Sequence, residues 1–277
     1  VVSSGIVGVV VGFGGAMAIV LAGATAVGAT PDQIVSWVTG LCLAMAVTAA
    51  GLSLWFRIPI VTAWSSPGAA VLAATQGIGM RAAVGAFLVT GGLIVATAAI
   101  RPLGRLVERI PTPLAAAMLA GVVYRFVVLV LDSLKTEPKL VAPLLVAFLL
   151  LRLVMPVATI LVLLAGGAVL ARVLGLGQPW PDHVAMPSLI FIEPLFDPAV
   201  IVGLAIPLYL VTMAGQNLPG AAVLRAAGYP VPLPAILAVT GLTSIVTAFT
   251  GAHTSNLAAI TAAICPGPDA HPDPARR

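Results

Sequence analysis

The sequence predicts an all-α polytopic membrane protein built from two inverted copies of one helical unit. Three observations carry that prediction. The chain is 60 % hydrophobic and 8 % charged, with mean hydropathy +1.15, whereas a soluble domain carries about 25 % charged residues. Its apolar residues lie in long uninterrupted runs, which excludes a β-barrel, whose strands alternate with period two. Two of these runs are interrupted by small polar residues, and the interruptions hold corresponding places in the two parts of the chain.

Long apolar segments are expected at about residues 3–25, 33–56, 80–100, 111–133, 138–153, 155–174, 198–215 and 232–250. Thr30-Pro31-Asp32 separates the first from the second. Arg57, just before Ile58-Pro59, ends the second at the membrane interface. Ser65-Ser66-Pro67-Gly68 then starts a short helix near 66–76, with Ser at the N-cap and Pro at the first helical position. Arg101 to Pro111 and Lys135 to Lys139 punctuate the middle of the chain. The longest connection, Gly175 to Pro198, is rich in Pro and Gly, carries Asp182, Glu193 and Asp197, and reads as extramembrane. A second short helix is expected near 254–265, led by Thr254-Ser255-Asn256 and entering Leu257-Ala258-Ala259. Both short elements are roughly half the ~20 residues that a spanning helix needs.

The two copies echo one another. Gly28-Ala29-Thr30-Pro31 followed by Val38-Thr39-Gly40-Leu41 recurs as Gly228-Tyr229-Pro230 followed by Val239-Thr240-Gly241-Leu242. A broken segment follows each tract, Ile60 to Gly68 in the first and Thr250 to Asn256 in the second. Seven crossings precede the second copy, an odd number, so the copies are inverted. The expected division is 1–190, the first repeat (TM1–TM7), and 191–277, a partial second repeat (TM8–TM10 and a cytoplasmic loop). Roughly four crossings are missing from the second copy, both ends of the chain read as cut, and the chain is not expected to transport by itself. No signal-peptide pattern opens it.

The net charge of +4 is small, and its Arg residues flank membrane segments rather than forming a basic face, so no nucleic acid is expected as a partner. Arg101, Arg105 and Arg109 share one loop, and the positive-inside rule places it and the N-terminus in the cytoplasm. Cys42 and Cys265 stand apart from any metal-spaced neighbour and read as small core hydrophobes. With no phosphate loop, metal cluster or nucleophile–base pair, neither an enzyme nor a cofactor or metal is expected.

Several polar residues at membrane depth are candidates for chemistry. Two short helices starting at Ser65-Ser66 and Thr254-Ser255 would aim their N-termini at mid-membrane, a place for an anion that needs no buried Lys or Arg. Gln216 and Asn217 close an apolar run and have strong hydrogen-bonding needs, which a neighbouring helix or a substrate could meet. The stretch Gly12 to Ala16 in the first copy is small and would leave room for a ligand. His253 is the only His in a membrane segment and could couple protons, cap a helix or bond a neighbour. Arg125 lies deep in an apolar run, where an Arg is a functional candidate by default.

At these residues the chain resembles the benzoate transporter (BenE) family. The resemblance is carried by YLVTMAGQNLPGAAVLRAAGY at 209–229, GAHTSNLAAITAAICPGPDAHPDP at 251–274, PIVTAWSSPGAAVLAAT at 59–75 and MLAGVVYRF at 118–126. It implies a bacterial inner-membrane benzoate:proton symporter. The fold implied is the seven-plus-seven inverted-repeat fold that resembles uracil and sulfate permeases, with helices 3 and 10 broken and, here, the second repeat incomplete. Mapped by motif, Ser65, Ser66, Gln216, Asn217, Thr254 and Asn256 would bind substrate, His253 would couple protons, and Arg125 would act in gating. The partners implied are a small aromatic carboxylate, protons and the lipid bilayer, and a homodimer is compatible with them. A nucleobase, sulfate or dicarboxylate permease of the same fold is the nearest alternative, and a channel or non-transporting scaffold the more distant one.

Overall fold

A computed structural model describes residues 2–100, 130–155, 159–176 and 186–259, together with positions 102, 124, 127, 128, 261 and 265. Its elements are α1 (Val2–Ala26), α2 (Pro31–Phe56), β1 (Thr62–Trp64), α3 (Ser66–Ala73), α4 (Met80–Ala99), α5 (Pro138–Val154), α6 (Thr159–Val173), α7 (Pro198–Ala226), α8 (Leu233–Ala248) and β2 (Ser255–Leu257). Among the described residues, four helices are long and apolar enough to span a bilayer: Gly8–Ala26 of α1, then α2, α4 and α7. Large apolar side chains such as Leu54, Leu153 and Val154 stand exposed on helix surfaces, where lipid or neighbouring membrane helices would cover them without penalty. The chain is a polytopic helical membrane protein.

Helix starts follow their sequence signals. Thr30 caps α2: its Oγ1 accepts from Gln33 N at 3.3 Å, while Gln33 Oε1 accepts from Thr30 N at 2.9 Å, a reciprocal capping box. Ser65 caps α3 by the one-way bond alone, its Oγ accepting from Gly68 N at 3.0 Å. Helix α3 is only 8 residues long, as the length deficit of that segment predicts.

The second broken segment departs from its prediction. In place of a helix starting at Thr254-Ser255-Asn256, residues Ser255–Leu257 form a strand that pairs antiparallel with β1. The register sets Thr62 against Leu257, Ala63 against Asn256 and Trp64 against Ser255. Flanking bonds lengthen the ribbon: Ser65 N donates to Thr254 O at 3.0 Å, and Ala258 N to Val61 O at 2.9 Å. The physical reason is tertiary. Extended backbone at membrane depth must find internal partners, and each break supplies the partners the other lacks.

Helix α7 runs through 29 residues, well past the break expected after Gly215. It widens into two π segments, Ile201–Ala205 and Met213–Asn217. Each ends two residues before a proline, Pro207 and Pro219. A proline ring clashes with the carbonyl four residues back, and a locally wider helix relieves that clash without ending the helix.

Two apolar clusters hold the helices together. One includes Trp37, Leu41, Phe87 and Leu208, the other Ile60, Met213, Ile236 and Leu257. The ribbon joins them, giving Trp64 to the first and Leu257 to the second. Helices α4 and α8 cross at Gly91 and Gly241, where a Cβ on Gly241 would sit 3.0 Å from Val95 N; small residues let helix backbones approach this closely. The segment 186–197 closes one end of the bundle. Ile192 N donates to Phe249 O at 2.7 Å, Leu195 N to Arg81 O at 2.9 Å, and Arg81 pairs with Glu193.

Candidate substrate site

The ribbon and the second π segment of α7 build one buried polar centre. A π turn carries an extra residue per turn, so it presents two consecutive amides to the same neighbour. Gln216 Oε1 accepts from Ala259 N at 3.1 Å, and Asn217 Oδ1 from Leu257 N at 2.9 Å. These two side chains therefore hold the exit of β2 against α7. Gln216 Nε2 makes no hydrogen bond among the described residues.

A chain of three hydroxyls ties the breaks to α7 from the other side. Ser65 Oγ lies 2.8 Å from Thr212 Oγ1, which lies 3.2 Å from Thr254 Oγ1. All three residues are fully buried. Proline at 67 has no N–H and Gly68 N is capped by Ser65, so the half-buried Ser66 N–H is the donor this end of α3 can still offer. Of the two facing helix N-termini expected from the sequence, that of α3 lies among the described residues; Thr254 and Ser255 lead into a strand, and most of the chain after Ala259 lies outside the described residues.

His253 sits at the junction of three elements. Trp37 Nε1 on α2 donates to His253 Nδ1 at 3.0 Å, and His253 Nε2 lies 3.1 Å from Ser65 O. Indole can only donate and a carbonyl can only accept. The imidazole therefore carries its hydrogen on Nε2 and is neutral in this arrangement. Both Trp37 and His253 are wholly buried, with Phe87 edge-on to each. Protonating Nδ1 would set two donors against each other and break the Trp37 bond. Just before this junction, Gly251 turns the chain at φ +89°, and a Cβ there would meet Met80 Cε at 2.7 Å; glycine takes this left-handed conformation without strain.

Asn256 differs from all of these. It is fully buried, yet neither its Nδ2 nor its Oδ1 has a hydrogen-bond partner. Cross-strand partners share a face of a ribbon, so Asn256 lies beside the short side chain of Ala63. The adjacent Ser255 Oγ is likewise buried and unpartnered. Helix α1 borders the site with small residues: Gly12 faces Thr261, Gly15 has open space around it, and Phe13 meets the Trp64 ring edge-on at 5.5 Å.

The structure thus brings Ser65, Gln216, Asn217, His253 and Thr254 into one hydrogen-bonded centre, with Ser66 and Asn256 on the two broken segments that enter it. Arg125, expected in gating, lies outside the described residues. Two residues of the centre escaped sequence reasoning. Thr212 had a faint signal, since it precedes Gln216 by one helical turn. Trp37 had none, because its partner is on a segment far along the chain.

A helical membrane protein whose apolar segments break and pair around a buried polar centre has the architecture of a membrane transporter. The chain belongs to the benzoate membrane transport protein family, whose model matches residues 1–277. It is 40 % identical over 276 residues to inner membrane protein YdcO of Escherichia coli (strain K12), covering 99 % of this chain and 70 % of that protein. It is 33 % identical over 271 residues to a benzoate membrane transport protein of Acinetobacter baylyi (strain ATCC 33305 / BD413 / ADP1), covering 97 % of this chain and 68 % of that one. No solved structure gives a significant match.

Proposed function

We propose that this protein imports benzoate, or a closely related aromatic carboxylate, together with protons across a bacterial inner membrane. Family membership supports the substrate class, and the name of the Escherichia coli relative supports the membrane. The observation that carries the site is Asn256, a buried amide with both polar atoms unpartnered on a strand at the meeting of two broken segments. A buried amide without partners is costly, and a ligand group at this point would meet the need.

In this reading Asn256, Gln216 and Ser66 contact the carboxyl group. Ser65, Asn217 and Thr254 shape the site by holding the two breaks to α7, and His253 fixes their junction. Arg125 is assigned to the gate. The antiparallel pairing of β1 with β2 is what two inverted copies would produce. It supports the seven-plus-seven scheme with repeats at 1–190 and 191–277, while Arg101, Arg105 and Arg109 on one loop support an N-terminus in the cytoplasm. Proton-dependent uptake of labelled benzoate into vesicles, by a chain extended over the further crossings expected of the second copy, tests the function. Saturable uptake resisted by neither excess uracil nor excess sulfate is the expected result; competition by either one would assign another substrate, and uptake that never saturates would make the protein a channel.

A further inference from the structure

We propose that Asn256 receives the cargo as the neutral carboxylic acid, so that the substrate itself carries the coupled proton. This rests on the reading above that an aromatic carboxylate is the cargo. A primary amide offers one donor, Nδ2, beside one acceptor, Oδ1, and in Asn256 both are buried and unused. A protonated carboxyl group presents the matching pair, an O–H donor beside a C=O acceptor. The two can close a ring of two hydrogen bonds. A carboxylate has acceptors only, so its second oxygen would face Asn256 Oδ1 and both would be left without a hydrogen.

The surroundings favour the same form. Burying an unpaired ion is far costlier than burying the neutral acid, and among the described residues no cationic side chain is at hand. The elements packed against β2 are β1, α2, α8 and the π segment of α7, with Gly220 of α7 against Ala258. Their titratable and charged groups among the described residues are few. Asp32 and Arg57 are exposed at the ends of α2, Arg225 is exposed near the end of α7, Cys42 is half-buried within α2, and Tyr209 of α7 is buried with its hydroxyl bonded to Thr97. His253, three residues before Asn256, has both ring nitrogens engaged by Trp37 and Ser65. The remaining donors near the ribbon, Gln216 Nε2, Ser66 N–H and the unpartnered Ser255 hydroxyl, are neutral. No described Asp or Glu lies within a spanning helix beyond the first turn of α2. The proton balance closes without a protein relay: the acid forms outside, crosses bound to Asn256, and dissociates inside to carboxylate and one proton.

The test is calorimetric binding of benzoate and of benzamide to the intact purified protein from pH 5 to pH 8. Carboxyl groups ionise near pH 4, so the apparent Kd for benzoate should rise about tenfold per pH unit across the whole range, with no plateau. Benzamide, which offers the same donor–acceptor pair without a proton to lose, should bind with a Kd that does not change with pH. Asn256→Leu should weaken both ligands by more than about tenfold, and the wild-type pH series decides the question even where that variant fails to fold. Three results would overturn the proposal while leaving benzoate as cargo: a benzoate Kd independent of pH, a plateau at the acidic end that marks a protein group as the proton carrier, or tight benzoate binding with no benzamide binding. Absence of benzoate binding at every pH would overturn the substrate assignment itself, and the inference with it.

Discussion

Replacing Trp37 by Phe should loosen the junction of the two broken segments, and its cost can be worked out from the contacts. The substitution removes the donor that His253 Nδ1 accepts from at 3.0 Å. His253 is wholly buried, so water cannot substitute, and an orphaned buried acceptor costs about 1–3 kcal/mol. Phenyl is smaller than indole by roughly 40 Å³, which at about 24 cal/mol per Å³ adds ~1 kcal/mol. The sum is about 2–4 kcal/mol. For a chain of this size each kcal/mol lowers Tm by roughly 2–4 °C, so the drop in detergent should be about 4–16 °C. A double-mutant cycle with His253→Ala should show a coupling of about 1–3 kcal/mol, because each single variant orphans the other's partner. A Tm shift below about 2 °C, or additivity within ~0.5 kcal/mol, would refute the bond as a structural tie.

His253→Gln should keep both uptake and its pH dependence, since an amide reproduces one donor and one acceptor; collapse of the pH dependence in vesicle assays would make His253 the proton carrier that its residue type alone suggests. Asn217→Leu leaves the Leu257 N–H without an acceptor and should cost about 1–3 kcal/mol, read as lost thermal stability. Gly241→Val would drive a side chain against Val95 on α4, where the Gly241 Cβ position already lies 3.0 Å from backbone nitrogen; overpacking of this kind costs about 1–3 kcal/mol and should lower expression and Tm together. Pro219→Ala removes the ring that the second π segment accommodates, so the helix should regularise and turn Gln216 and Asn217 away from the ribbon. Uptake should fall by about tenfold or more and Tm should fall with it, since the Leu257 and Ala259 N–H groups lose their acceptors; unchanged uptake would show that the π geometry does not depend on that proline.

Much of the architecture is legible along the chain because a bilayer imposes one-dimensional rules. Apolar length alone marks α1, α2, α4 and α7, and short-range chemistry marks their ends: the Thr30–Gln33 capping box and the Ser65 cap need only residues within one helical turn. The break before α3 is visible for the same reason. The centre of the molecule obeys a different rule. Thr254-Ser255-Asn256 has the local pattern of a helix start, yet it forms a strand because β1 waits beside it with unpaired backbone. Gln216 and Asn217 look like the end of a run, yet sit inside a continuous helix because π turns absorb Pro207 and Pro219.

What the sequence by itself determined, then, is the solvent of this protein, the positions where its chain breaks, and the inventory of polar side chains at membrane depth. Composition and periodicity are properties of neighbours along the chain, and they suffice for that. Only the tertiary structure decided how those side chains are used. Trp37 occupies one nitrogen of His253 and Ser65 the other; Asn217 and Gln216 spend their carbonyls on β2; Asn256, on the same strand, is left with both polar atoms unspent. A hydrogen bond is formed with whatever lies within about 3 Å. In this fold that neighbour is a segment from the other end of the chain.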